Sequence, residues 1–183
     1  MSDEDVYVAL GSNLGDRAAH LARAVEAMGR LPGTRVVALS PVFETDPVGP
    51  GPQGPHLNAV ARLHSALSPR AILEGLQAIE AAAGRTRGGG RWGARTLDLD
   101  LLLHGARIIA EPDLQVPHPR LAERAFVLEP LAALAPTLRH PVLGPCMATL
   151  ARRVRDPQAV RHWSGRLPIG PGRPPEIHEE GQE

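Results

Sequence analysis

The chain has 183 residues, 43% hydrophobic and 22% charged, which is enough to bury one core without cross-links. Basic and acidic side chains number 20 each, so the broad positive field of a dedicated nucleic-acid binder is missing. A single cysteine excludes an internal disulfide and a cysteine-rich zinc site. No apolar run approaches the ~20 residues of a membrane helix, and the acidic start is unlike a signal peptide. A cytoplasmic protein without a membrane partner is expected, with no global basic field to mark it as a dedicated nucleic-acid binder.

Residues 6–10 are apolar and partly β-branched, which predicts a first strand. They run into Gly11-Ser12-Asn13-Leu14-Gly15-Asp16, a turn cluster rich in helix-capping residues. Leu21, Val25 and Met28 recur at helical spacing, and Gly29 and Pro32 close that helix. Residues 35–44 form a second extended stretch, broken at Pro41. Residues 46–55 cannot be regular, because prolines remove donors and glycines add freedom. They form either a flexible lid or an irregular wall of a site. Residues 57–64 alternate as a strand. Ser68 and Pro69 open a helix whose apolar stripe is Ile72, Leu73, Leu76, Ile79 and Ala83, and Gly84 ends it. Residues 96–103 carry the strongest strand signal.

This order predicts an α+β fold, a ferredoxin-like βαββαβ sandwich with a mainly antiparallel sheet and helices on one face. Further helices over 125–134 and 147–154 are added at the C-terminal side. One domain is expected over 1–164. Residues 165–183 lack the apolar content to pack and are expected to be a disordered tail.

The chemistry concentrates in residues 84–103. Asp98 and Asp100 are two apart on a strand, so they share one face while Leu97, Leu99 and Leu101 turn to the other. Two adjacent like charges call for a cation, and a Mg²⁺ pair held with substrate phosphates would supply it. A solvated strand face fits the two acids equally well when they are taken alone. Arg85, Arg87, Arg91 and Arg95 lie just upstream, around Gly88-Gly89-Gly90. Guanidinium forks match phosphate oxygens, and glycines let a loop close over a ligand. Trp92 also leaves open a nucleic-acid contact by stacking. The joint pattern favours phosphoryl chemistry.

There is no G-x-x-x-x-G-K-[ST] motif, and all twenty basic residues are arginine. Phosphate binding must therefore rest on arginine, histidine and metal. His118 stands between two prolines, which fixes its direction. It is either a phosphate donor or an ordinary turn histidine. The Asn58 amide has the donor and acceptor to read a heterocycle edge. Phe126 reads locally as core. Glu80 lies one turn before Gly84, where a link to Arg85 would orient the loop. Cys146 has nothing nearby in sequence to activate it.

Together, the A-L-G-S-N-L-G-D opening, Glu44-Thr45-Asp46-Pro47, Leu57-Asn58-Ala59-Val60, Gly84-Arg85 with Arg91-Trp92-Gly93, Arg95-Thr96-Leu97-Asp98-Leu99-Asp100, and Val116-Pro117-His118-Pro119 with Arg124-Ala125-Phe126-Val127-Leu128 resemble the 6-hydroxymethyl-7,8-dihydropterin pyrophosphokinase family. The resemblance runs from about residue 6 to about residue 136. It implies transfer of pyrophosphate from ATP to the pterin hydroxymethyl group, with AMP released, in tetrahydrofolate biosynthesis. It implies Asp98 and Asp100 as ligands of two Mg²⁺ ions, and Arg85 and Arg95 as catalytic contacts to the phosphates. Gln77, Glu80, Arg87, Arg91, Leu101, His118 and Arg124 fall on the ATP side. Thr45, Val48, His56, Asn58, Trp92 and Phe126 fall on the pterin side, with Phe126 stacking on the ring. It also implies a monomer and two loops, over 48–55 and 86–92, that close on the substrates. The chain departs from the family at His56, where an aromatic is common, at Gly88, where some members carry a basic residue, and at Pro119, where some carry an aromatic.

Overall fold

The structure, a computed structural model, describes residues 3–47, 54–84, 96–155, 158–168 and the backbone of Glu176–Ile177. The first strand, β1, spans Glu4–Ser12 and is longer at both ends than expected, so Gly11 and Ser12 belong to the sheet and not to the following turn. Helix α1 (Arg17–Met28) starts where Asp16 accepts the Ala19 N–H at 3.0 Å, a side-chain N-cap. The extended stretch divides at Ser40-Pro41 into β2 (Thr34–Leu39) and β3 (Phe43–Thr45). Pro41 cannot continue the ladder, and Ser40 bridges the break. Its N–H donates to Val60 O at 2.9 Å, and its Oγ accepts the Val60 N–H at 2.9 Å.

β4 (His56–Ser65) is the long central strand. Helix α2 (Pro69–Ala82) has Ser68 as its N-cap, accepting the Ala71 N–H at 3.2 Å, and Gly84 follows at φ 84°, the left-handed position expected of a helix terminator. β5 (Asp98–His104) follows, then a small hairpin of β6 (Ile109–Glu111) and β7 (Leu114–Val116). α3 (Ala125–Leu134) and α4 (Met147–Arg153) match the helices expected there. Two short strands end the described chain, β8 (Val160–His162) and β9 (Glu176–Ile177).

The main sheet has the order β5-β1-β4-β2-β9, and β3 pairs with β4 beside β2, on the same edge. β8 adds to the outer side of β3. All pairings are antiparallel except β2 with β9. α1 and α2 cover one face, where Leu21, Val25, Met28, Ile72 and Leu76 bury Val8, Leu10, Ala59, Leu63, Leu99 and Leu101. α3 and α4 cover the other, where Val127, Leu128, Leu131 and Met147 bury Tyr7, Val60, Leu102 and Leu103. The mixed α/β molecule thus has helices on both faces of an antiparallel sheet. The register of β1 with β5 shifts between Tyr7 and Val8, leaving Leu102 as an extra residue. That bulge lets Leu102 and Leu103 both serve the second core while Leu101 serves the first.

Toward its C-terminus the chain keeps contact with the domain past residue 164. Leu167 packs against the first core, and the Glu176–Ile177 backbone lies along Ala38 and Leu39.

Candidate active site

The strand period places Asp98 and Asp100 on the α3 side of β5, both partly exposed, while Leu97, Leu99 and Leu101 are buried on the α1–α2 side. β5 is the edge strand, so its outward N–H groups need partners. Glu80 supplies one, its Oε1 accepting the Leu99 N–H at 2.7 Å. This carboxylate, 5% exposed, fixes the backbone midway between the two aspartates. That contact joins α2 to the strand, whereas the sequence had suggested a link to Arg85, which lies outside the described residues.

Gly11 on β1 is opposite Asp98 on one side and Asn58 on the other. A Cβ on Gly11 would lie 3.5 Å from Asn58 Oδ1 and 4.0 Å from Asp98 Cβ. The glycine therefore leaves a methyl-sized gap between the amide and the carboxylate, because a Cβ there would sit in ordinary contact with both. Asn58 is buried, and its Nδ2 donates to Thr45 Oγ1 at 3.0 Å. That bond sets the amide's orientation, with Oδ1 on the Gly11 side. Thr45 in turn is paired with His56 across β3 and β4.

From the α3 side, Arg124 approaches Asp100, Nη1 to Oδ2 at 3.8 Å, and its guanidinium carbon lies 5.7 Å from the centre of the Phe126 ring. Phe126 is half-buried against the second core, so it is neither fully core nor fully free to stack. The His118 backbone N–H donates to Leu102 O at 2.9 Å, which holds the Pro-His-Pro turn against β5. The Val116–Pro117 bond in that turn is cis. His118 Nδ1 accepts the Arg120 N–H at 3.1 Å, which puts the ring proton on Nε2 as a donor. Burial holds its pKa below the ordinary histidine value; Asp100 and Asp98 oppose that shift and Arg124 and Arg120 add to it. Burial likewise lowers the Arg124 pKa, again with Arg120 adding and the two aspartates opposing.

The structure thus brings together Asp98, Asp100, Arg124 and His118, with Asn58 and Thr45 one strand away across Gly11. Leu101 turns its side chain into the first core, so only its backbone can meet a ligand. Gln77 is exposed on α2. Val48, Arg85, Arg87, Arg91, Trp92 and Arg95 lie outside the described residues. Two contributors had no assigned role in the sequence. Gly11 was legible only as a turn glycine. Arg17, at the start of α1, donates to Glu44 Oε2 at 3.0 Å and to Pro55 O at 2.6 Å, tying β3 to the root of β4. An arginine directly after a helix cap carries no local signal for such a role.

Comparison with solved structures bears on the fold. Chains described as Plasmodium falciparum HPPK-DHPS share the fold, with TM-scores of 0.68 and 0.67 at 14% and 15% identity, covering 82% of this chain. This chain spans 45% and 44% of the length of those two. At the level of sequence, residues 7–136 match the family 7,8-dihydro-6-hydroxymethylpterin-pyrophosphokinase (HPPK), and the chain belongs to that family. Among its relatives is the 2-amino-4-hydroxy-6-hydroxymethyldihydropteridine pyrophosphokinase of Pseudomonas aeruginosa, 52% identical over 136 residues, 74% of this chain and 83% of that protein. The protein of the same name from Bacillus subtilis is 42% identical over 157 residues, 86% and 89% of the two chains.

Proposed function

We propose that the chain transfers the pyrophosphoryl group of ATP to the hydroxymethyl oxygen of 6-hydroxymethyl-7,8-dihydropterin, releasing AMP, in tetrahydrofolate biosynthesis. Membership of the family and the names of its relatives support the reaction. The observation that carries the site is the row Asn58, Gly11, Asp98 across β4, β1 and β5. It supports the reading because an amide able to read a heterocycle edge and a carboxylate able to hold metal lie on one face, with only a glycine between them. The βαββαβ part of the sheet, in the order β5-β1-β4-β2, is consistent with a ferredoxin-like arrangement.

In this mechanism the pterin hydroxyl oxygen bonds to the β-phosphorus. The bond from that phosphorus to the α,β-bridging oxygen breaks, AMP leaves with that oxygen, and the hydroxyl proton passes to solvent. Among the described residues no group of three or more His, Cys, Asp or Glu forms a metal cage. Two carboxylates alone suit Mg²⁺, which completes its shell with phosphate oxygens and water. Asp98 and Asp100 would hold two such ions, which when bound neutralise and align the triphosphate. Arg85 and Arg95 stabilise charge on the transferring group. His118, through Nε2–H, and Arg124 bind phosphate oxygens, with Arg87, Arg91, Gln77, Glu80 and the Leu101 backbone on the nucleotide side. Asn58 reads the pterin edge, Phe126, Trp92 and His56 contact its ring, and Thr45 and Val48 complete its pocket. The substrates are two small molecules, and the protein acts as a cytoplasmic monomer with neither nucleic acid nor membrane. No described helix is long and apolar enough to cross a membrane.

An AMP-release assay tests this. AMP is expected only when ATP, Mg²⁺ and the dihydropterin are all present. Equal release without the pterin would replace the transferase with a water-using phosphohydrolase. Asp98→Ala and Asp100→Ala should each lower turnover by on the order of 10²–10³-fold or more, with the circular-dichroism spectrum unchanged. Full activity in both variants would remove their metal role.

A further inference from the structure

The acceptor side of the site hangs on β3, a strand of three residues. A strand that short makes few ladder bonds and is a poor platform when left at a sheet edge. Here it is not left there. β8, which lies beyond the family-matched residues 7–136, runs antiparallel along its outer side, with Phe43 opposite His162, Glu44 opposite Arg161 and Thr45 opposite Val160. The seam is fastened at both ends. At the start, the Trp163 N–H donates to Val42 O at 2.9 Å, and the Phe43 and His162 rings pack with centroids 4.4 Å apart. At the far end, Arg161 grips Asp46 with both guanidinium nitrogens, Nη1 to Oδ2 at 3.1 Å and Nη2 to Oδ1 at 2.7 Å, and Gln158 Nε2 donates to Asp46 O. Between those ends lies Thr45, whose Oγ1 orients the Asn58 amide.

Given the reading of Asn58 as the pterin-recognising amide, we infer that residues 158–163 are a positioning element of the acceptor site. They hold β3 from outside, so that Thr45 keeps Asn58 aimed across Gly11. Arg161 and Gln158 act through Asp46 and β3 and touch neither substrate. The ATP side is built on β5, the His118 turn and Arg124 at the cap of α3. β8 lies beside α3, but it pairs with β3 and not with β5, and Arg161 and Gln158 reach Asp46 rather than that helix. The effect should therefore fall on one substrate.

An ion pair as exposed as Arg161 with Asp46 contributes little to global stability, which makes it a suitable probe. Arg161→Asp sets two carboxylates against each other. The charge-swapped pair Asp46→Arg with Arg161→Asp restores the attraction in reverse. For Arg161→Asp, the KM for the dihydropterin should rise about three- to tenfold. The KM for ATP should stay within about twofold and the melting temperature should hardly move. The swapped pair should recover most of the pterin KM. An unchanged pterin KM in Arg161→Asp overturns the inference. So does a parallel rise of both KM values with a lowered melting temperature, because that is general loosening. If the unmodified chain shows no pterin-dependent AMP release, the functional reading fails first and the inference fails with it. Pterin-dependent release that is insensitive to Arg161 sinks the inference alone.

Discussion

At the scale of single residues, the site depends on a side chain that is missing. Gly11 stands between Asn58 and Asp98, and its absent Cβ leaves a methyl-sized gap between them. A glycine inside a strand often marks such a close approach. Gly11→Val should leave the fold intact, since the position lies in ordinary extended backbone. It should raise the pterin KM by about tenfold or more, in the range expected when a pocket loses room for a methyl or two. Steady-state kinetics against both substrates check this, and an unchanged pterin KM would place the acceptor elsewhere. Asn58 shows the complementary point. The sequence offers an amide, but only Thr45 decides which way it faces.

At the scale of elements, β5 works because α2 guards its open edge. Leu99 lies between the two aspartates, and its N–H is satisfied by Glu80. Loss of that acceptor leaves a buried donor unpaired, a cost of about 1–3 kcal/mol. Glu80→Gln keeps a carbonyl oxygen at the same reach, so it should retain most of the stability that Glu80→Ala loses. Urea denaturation of the two variants should separate them by about 1 kcal/mol or more. Equal midpoints would mean that the Leu99 bond contributes nothing. The helix was legible from Ser68, Pro69 and Gly84, and the strand from its leucines. The bond between them was not, because no local pattern says which strand will be the edge.

At the scale of the whole molecule, buried histidines tie stability to pH. Burial lowers the pKa of His104, His118 and His140 below the ordinary 6.5. Glu4 opposes that shift at His104, and Arg107 adds to it. His140 Nδ1 accepts the Val142 and Leu143 N–H groups at 3.2 and 3.1 Å, bonds available only to the neutral ring. Below pH 6.5 the unfolded chain therefore binds more protons than the folded one. Stability is fully present above that value and is lost as pH falls toward the lowered folded pKa values. Thermal melts should be flat above about pH 7.5 and should decline from about pH 6.5 downward. His140→Asn, which keeps an acceptor for the turn, should make the decline shallower. A melting temperature that holds steady between pH 7 and 5 would contradict this.

Residue order alone specified the strand and helix sequence through β5, the caps at Ser68 and Gly84, and the shared face of Asp98 and Asp100. All of these are written in windows of a few residues, through strand period, helical spacing and capping chemistry. The motif blocks also carried the family. Folding in three dimensions decided the rest. It drew Gly11 into the sheet, chose Leu99 as the partner of Glu80, and used Arg17 to tie Glu44 to Pro55. It also turned residues 160–162 into a strand along β3, where Arg161 meets Asp46 from 115 residues away. Such pairings depend on which strands become neighbours and which edges need covering. Those outcomes arise from burying two cores at once on opposite faces of one sheet, and no short stretch of sequence encodes them.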